Sequence, residues 1–275
     1  MMNIVLTGSS SGIGRALAHH LLGQGHRIWG LARSDQSDLV AAQPNFRFSR
    51  VDVADYVTVE KVAADVSTAW SHVDALIACA GLQGEIGRTL DSDPTRWAAT
   101  IRSNLEGTFN TLRAFAPLMP KAPRRMKIIC FSGGGATKAR AYFSAYGVAK
   151  TGIVRLVETI AEEEQDRPLD INAIAPGAIN TRLTDEVLAL GPVIVGEQEY
   201  TAAQKQKLAG GASLEKVFSL VDWLISSTSD GVSGRLLSAP WDPWASLAAH
   251  RDELSKSDVY TLRRILPGER GLLWS

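Results

Sequence analysis

The sequence predicts an α/β fold: a single doubly wound parallel sheet with helices on both faces and an extra C-terminal tail. Short apolar runs of strand length alternate with helix-period stretches almost throughout, the pattern of successive strand–helix–strand crossovers. The first apolar run passes through a glycine-rich turn straight into an amphipathic helix. A chain of 275 residues, 45% hydrophobic and 21% charged, is ordinary for one large globular unit of this class. The main unit is expected over residues 1–240 and the tail over 241–275.

Asn3–Leu6 reads as a buried strand, and Thr7-Gly8-Ser9-Ser10-Ser11-Gly12-Ile13-Gly14 leads into a helix from about Gly12 to Leu22. In such a turn the backbone N–H groups and the positive helix end face a ligand, and missing side chains let it approach. Gly8, Ser10, Ser11, Gly12, Ile13 and Gly14 are therefore the candidate phosphate cradle. The spacing is G-x-x-x-G-x-G, not the general G-x-G-x-x-G dinucleotide fingerprint.

His26–Ala32 is the expected second strand, with Arg33 directly after it. In a dinucleotide-binding half, an acidic residue at this strand end takes the adenosine ribose 2′-OH, whereas a cation accommodates a 2′-phosphate. Arg33 favours NADP(H), with NAD(H) possible; the plain alternative is a solvated loop cation. Asp35 and Asp38 fall in the expected loop. Phe46–Val51 is the third strand and ends at Asp52-Val53, where a carboxylate could accept from an adenine amine. A helix is expected over Tyr56–Ser71 and a strand over Val73–Cys79. The small residues Ala80 and Gly81 then let the backbone pass close to a cofactor ribose. Asp93-Pro94 starts a helical stretch through Asn104 towards Met119; by position alone Asn104 is a surface or capping amide.

Ile128–Phe131 forms the next strand, after the basic segment Pro120–Lys127. Ser132 and three glycines follow, and a helix begins by about Ser144. Tyr146 and Lys150 lie one turn apart on one face of that helix. A phenol, an ammonium and a hydroxyl gathered at one strand end point to acid/base work on a carbonyl. Leu169–Ala175 is the sixth strand, closed by Pro176-Gly177-Ala178-Ile179-Asn180-Thr181, a rigid turn with a free hydroxyl. Residues 183–212 hold two weak helical patterns broken at Gly191-Pro192 and Gly196, the form of a lid over an active site. Leu214–Ser226 is a helix and Gly234–Ala239 a last strand. The tail holds three of the seven tryptophans, Trp241, Trp244 and Trp274, and is expected to pack on its own domain or on a neighbouring subunit.

Composition removes several classes. There are 29 basic and 29 acidic residues and no basic run, so no nucleic-acid partner is expected. No apolar run reaches the ~18 residues of a membrane span, so no membrane partner is expected. Cys79 and Cys130 sit in apolar runs as small buried hydrophobes, with no metal-ligand spacing. The N-terminus enters a strand without a charged leader, and a cytoplasmic location is expected.

Taken together, Thr7-Gly8-x3-Gly12-x-Gly14, Asp52-Val53, Ala80-Gly81, Asn104, Ser132, Tyr146-x3-Lys150 and Pro176-Gly177-x3-Thr181 resemble the short-chain dehydrogenase/reductase family in order and interval, over residues 3–240. The resemblance implies a seven-stranded Rossmann sheet binding one nicotinamide dinucleotide across its carboxyl edge, and interconversion of an alcohol and a ketone or aldehyde. It implies that Tyr146 exchanges a proton with the substrate oxygen. Lys150 would lower the phenol from its ordinary pKa near ~10 and bind the nicotinamide ribose. Ser132 would hold the substrate carbonyl, and Asn104 a water leading to the lysine. Pro176, Gly177, Ile179 and Thr181 would border the cofactor, Thr181 at the nicotinamide amide. A homodimer or homotetramer pairing through the helix of Tyr146 and the helix after Asn104 is also implied.

Three departures stand out. The family's serine lies one residue nearer the tyrosine than Ser132, at Gly133. Its Asn-Asn-Ala-Gly is Ala78-Cys79-Ala80-Gly81, so the bracing amides must be replaced or absent. The Trp-Asp-Pro-Trp tail exceeds the usual ending. The competing readings are a non-catalytic cofactor sensor or scaffold, and a nucleotide-sugar-modifying enzyme of the longer related group.

Overall fold

The computed structural model describes residues 1–273, so Trp274 lies outside the described residues. The first half of the chain lays down β1 (Asn3–Thr7), α1 (Gly12–Gly23), β2 (Arg27–Ala32), α2 (Ser37–Ala42), β3 (Phe46–Arg50), α3 (Tyr56–Ala69) and β4 (Ala75–Ala78). Next come α4 (Pro94–Ile101), a π-helical turn (Arg102–Glu106), α5 (Gly107–Phe115), β5 (Met126–Phe131), α6 (Ser144–Glu163) and β6 (Leu169–Ala175). The chain continues through α7 (Arg182–Leu190), α8 (Pro192–Val195), α9 (Glu197–Leu208), α10 (Leu214–Ile225), β7 (Leu236–Ser238) and α11 (Arg251–Ser255). The strands form one seven-stranded parallel sheet in the order β3-β2-β1-β4-β5-β6-β7.

A parallel sheet covered on both faces needs apolar side chains on both, which is why β1, β4 and β5 are buried along their whole length. Successive residues serve opposite layers. Ile4 and Leu6 pack with Leu17 and Leu21 of α1 and Val217, Leu220 and Leu224 of α10. Val5 and Leu76 pack on the other side with Val59 and Val66 of α3, Phe115 of α5 and Val154 and Val157 of α6. Each such side chain contributes about 1.5–3 kcal/mol by leaving water. Helix starts are set locally: Asp55 accepts from the Thr58 N–H at 3.3 Å, and Asp93 accepts from the Thr95 and Arg96 N–H groups ahead of Pro94.

The strand order reverses between β1 and β4. The chain winds outward through β2 and β3, then returns through α3 to the other side of β1. The carboxyl ends of β1 and β4 therefore diverge into a crevice, the place where open α/β sheets bind ligands.

Four elements differ from the expectation. β5 begins at Met126, because Lys127 is buried within it and neutralised by Asp170 at 2.8 Å, which lets a basic residue sit inside a strand. The helix expected from Asp93 towards Met119 is interrupted by the π-helical turn. The segment carrying Asp38 is the short helix α2, not a loop. The lid contains three helices, because Gly191 (φ 74°) and Gly196 (φ 83°) isolate the four-residue α8.

The tail lies on its own domain. The carbonyls of Ser257 and Val259 accept from the Arg235 guanidinium at 2.9 and 2.8 Å, and the Tyr260 carbonyl accepts from Leu236 N–H at 2.9 Å on the outer side of β7. Trp244 packs on Trp223 with ring centroids 5.8 Å apart, and Leu247 and Leu254 join the core. The β7 edge of the sheet is thereby covered at Leu236. Among the described residues no helix is long and apolar enough to cross a membrane.

Candidate active site

The crevice opens into a cavity of about 650 Å³. It is lined by every candidate catalytic or cofactor-binding residue except Asn104, and residues of α7 and α9 close its far side.

The phosphate end is built from close backbone approaches. Gly8 has φ +73°, and a Cβ there would sit 2.8 Å from Ala80 Cα. A Cβ at Gly14 would sit 2.3 Å from the Gly8 carbonyl oxygen. Glycine at both positions lets the turn fold against β4 and lets α1 start directly beneath it, with its N-terminus aimed into the cavity. Thr7 braces the Ala78-Cys79-Ala80-Gly81 segment: its buried hydroxyl oxygen accepts from Cys79 N–H at 3.1 Å and Ala80 N–H at 3.0 Å, tying β1 to the end of β4.

Arg33 extends from the end of β2, 65% exposed, with its guanidinium 3.9 Å from the Asp52 carboxylate. Asp52 also accepts from Ala54 N–H at 3.0 Å, which fixes the loop after β3, and Val53 packs where a Cβ on Gly107 would fall. On the far side of the cradle, Thr181 caps α7 by accepting from Leu183 N–H at 3.3 Å. Its hydroxyl keeps its proton free to donate, and its methyl lies by Gly12.

α6 carries the two chemical groups. Lys150 is buried, and its Nζ donates to the Phe131 carbonyl at 2.8 Å and stands 5.5 Å from the Tyr146 ring centre. Burial lowers its pKa to about 8, with Cys79 and Cys130 pulling the other way. Both thiols are pushed up to about 12 by burial. Burial also raises the Tyr146 phenol above its ordinary value, with the Arg140 guanidinium opposing. At Tyr146 desolvation outweighs the opposing Arg140 guanidinium.

Asn104 is corrected from a surface or capping amide to a fully buried clamp. Its Nδ2 donates to the carbonyls of Leu82 (3.0 Å) and Thr100 (2.9 Å), and its Oδ1 accepts from Leu82 N–H (3.2 Å). It sits behind Gly81, where a Cβ would lie 2.8 Å from Asn104 Oδ1 and 3.3 Å from Lys150 Nζ. The amide thus holds the loop after β4 against the lysine.

Ser132 also departs from the role expected of it. Its hydroxyl donates to the Lys150 carbonyl at 2.9 Å, locking β5 to α6, so its proton is not offered to a substrate oxygen. Gly133 is the residue that faces the tyrosine: a Cβ there would lie 3.5 Å from Tyr146 Oη.

Two polar residues of the substrate end escaped the sequence reading. Arg140 stacks on Phe143, 3.7 Å from the ring centre, and donates to Glu199 of α9 at 2.7 and 2.9 Å, joining the loop before Tyr146 to the lid. Gln83, two residues beyond Gly81, lines the same cavity. Both stand in stretches without periodicity, and only their nearness to Tyr146 and Ala80-Gly81 could have drawn attention to them.

The short chain dehydrogenase family model matches residues 2–189. This chain belongs to that family. Among curated relatives it is 30% identical to the short chain dehydrogenase mpl6 of Monascus purpureus over 277 aligned positions, covering 96% of this chain and 88% of that one. Among solved structures it resembles levodione reductase, with a TM-score of 0.76 at 23% identity over 90% of this chain and 98% of that one. It also resembles a short chain dehydrogenase of Escherichia coli CFT073 complexed with NADPH, with a TM-score of 0.73 at 21% identity over 87% and 96%. As a short-chain oxidoreductase the chain keeps the tyrosine–lysine pair and the glycine turn, and it differs at the position of the serine.

Proposed function

We propose that this oxidoreductase is NADP(H)-dependent and reduces a ketone or aldehyde to an alcohol, reversibly, on a small molecule enclosed beneath the lid. The observation that carries the reading is the placement of Tyr146 and Lys150 on one face of α6, opening into the cavity that also holds the glycine cradle. The residues fit the cofactor: a glycine turn whose close backbone packing at Gly8 and Gly14 leaves no room for a Cβ, a helix N-terminus for the diphosphate, and Arg33 for a 2′-phosphate. Asp52 would accept from the adenine amine, Lys150 would bind the nicotinamide ribose and Thr181 the nicotinamide amide. The relative solved with NADPH supports the choice.

The bound nicotinamide supplies or takes up the hydride. Tyr146 gives its phenolic proton to the substrate oxygen as the carbonyl is reduced and takes it back in the reverse direction. Burial raises the phenol above its ordinary value, and the Arg140 guanidinium opposes that shift. The Arg140 guanidinium stabilises the phenolate left behind. The lid would exclude water: its Val187, Val195 and Ala203 form one apolar cluster with Phe143, which precedes α6.

Pairing of two copies through α5 and α6 belongs to the same proposal, supported by the exposed Phe109 and Val148 on those helices. So does a reducing compartment such as the cytoplasm, which suits two free cysteines.

The test is NADPH oxidation over a panel of ketones and aldehydes, with Tyr146→Phe as the control. Turnover by the native chain and a loss of at least about 100-fold in kcat for the variant are expected. Unchanged turnover in Tyr146→Phe would refute the mechanism. A native chain that binds NADPH and turns nothing over would be a sensor instead.

A further inference from the structure

We infer that Glu199 determines specificity: by neutralising Arg140 in the cavity wall it reserves the site for uncharged carbonyl compounds and turns away those that carry a carboxylate. The inference rests on the carbonyl-reducing role proposed above and names the substrate class of that site.

Glu199 stands in the first turn of α9 on the stripe Glu199, Ala202, Ala203 and Gln206, spaced i, i+3, i+4 and i+7, and all four line the cavity. Arg140 lines it too, and reaches Glu199 from the loop before α6. Its Nε and Nη2 both donate to one carboxylate oxygen, Oε2, at 2.9 and 2.7 Å. Among the described residues, Arg140 Nη1 and Glu199 Oε1 have no hydrogen-bond partner, and both atoms remain accessible. Each side chain is 29% exposed, so the pair forms part of the open wall. The guanidinium lies over Phe143, 3.7 Å from the ring centre and three residues before Tyr146, and it is the cation whose charge acts on the phenol.

Charge then decides what this wall accepts. An unpaired guanidinium in a partly enclosed cavity attracts a carboxylate, commonly through two parallel hydrogen bonds. Here Glu199 already holds the Nε and Nη2 edge that would make them. A substrate carboxylate must either displace Glu199, stranding a partly buried charge, or lie beside it as a second anion. The other lid cation of the cavity, Arg182, is likewise paired, with Glu186 at 3.0 Å. The two pairs cancel, and Leu183, Val187, Ala202 and Ala203 supply apolar surface around them. An uncharged substrate disturbs neither pair. Discrimination of this kind works by penalising the wrong partner more than by rewarding the right one.

The experiment follows NADPH oxidation with 4-formylbenzoate and levulinate, each beside its methyl ester, so that charge changes while the reacting carbonyl stays the same. It compares the native chain, Glu199→Gln, Glu197→Gln and the double variant Glu199→Gln with Arg140→Gln. The native chain should prefer each ester by at least about tenfold in kcat/KM, because solvent screens only part of the repulsion between like charges. In Glu199→Gln the ester-to-acid ratio should fall at least about tenfold, mainly through a lower KM for the acid. Adding Arg140→Gln should abolish that gain, since the freed cation is gone. Glu197 is exposed in the same turn of α9 and lies outside the cavity lining. Glu197→Gln removes the same charge and should keep the native ratio within about twofold, which separates the pair from the general field of the protein.

Equal use of acid and ester by the native chain, or preference for the acid, would overturn this inference and leave the carbonyl-reducing function standing. That reading needs no substituted chain to fold. An unchanged ratio in folded Glu199→Gln, or an equal shift in Glu197→Gln, would overturn it as well. No turnover of any of the four compounds by the native chain would overturn both this inference and the function on which it rests.

Discussion

Replacing Arg33 by alanine should separate NADPH from NADH, and its size follows from the structure. The guanidinium is 65% exposed at the end of β2, and its partner Asp52 is 3.9 Å away, beyond hydrogen-bond distance, so little must be broken before a phosphate is met. The Arg33 carbonyl accepts from Arg50 Nε at 2.8 Å, which holds the backbone there in place with or without the side chain. A charge-assisted hydrogen bond contributes about 1.5–3 kcal/mol, and solvent at this exposed rim keeps the figure at the lower end. About 1.5 kcal/mol is roughly a tenfold rise in Kd for NADPH. Asp52, no longer facing a cation, adds repulsion towards a 2′-phosphate and none towards a 2′-hydroxyl. Fluorescence titrations at low and high salt are the assay. NADPH affinity should fall about tenfold while NADH stays within about twofold, and the gap should narrow as salt screens the contact. Equal changes for the two nucleotides at low salt would refute the assignment.

Two further outcomes follow from burial. Lys150 is held near 8 in the folded chain against an ordinary 10.5, so above pH 8 the folded state releases its proton before the unfolded state does. Stability relative to a Lys150→Met variant should therefore rise with pH between about 8 and 9, by about 1 kcal/mol; denaturant melts showing a flat or falling difference would contradict the buried lysine. Above pH 9 the two thiols, held up to about 12, act in the opposite sense, because the unfolded state then loses their protons first. Truncation after Ala239 removes Leu247 and Leu254 from the core and the carbonyl partners of Arg235. A loss of about 5 kcal/mol or more is expected, a large part of a typical domain's stability, and an unshifted melting temperature would show that the tail is dispensable.

The regular elements were legible because their signals are local. β6 appears at Leu169–Ala175, as its apolar run predicts, and α6 starts at Ser144. What escaped depends on partners distant in sequence. Lys127 reads as loop until Asp170, 43 residues on, neutralises it inside β5. Asn104 reads as a capping amide until Leu82 and Thr100 enclose it. The extra lid helix hides between two glycines because four residues carry too little periodicity to be seen. In the site, the glycine turn, Tyr146 and Lys150 could be found from spacing. The direction of the phenol's shift could not, because it depends on how deeply the cavity buries it.

The serine shows why one residue of offset matters. Along extended backbone, side chains alternate between faces, so neighbouring positions at the end of β5 point opposite ways. Gly133 is fully extended (φ 176°, ψ 172°), and the alternation therefore persists past the last strand residue. Ser132 turns towards the Lys150 carbonyl, while Gly133 turns towards Tyr146. The Ser132 hydroxyl is engaged with the Lys150 carbonyl at 2.9 Å and so ties β5 to the helix carrying the phenol. The chain keeps the bond from Ser132 to α6, and the position that faces the phenol carries no side chain.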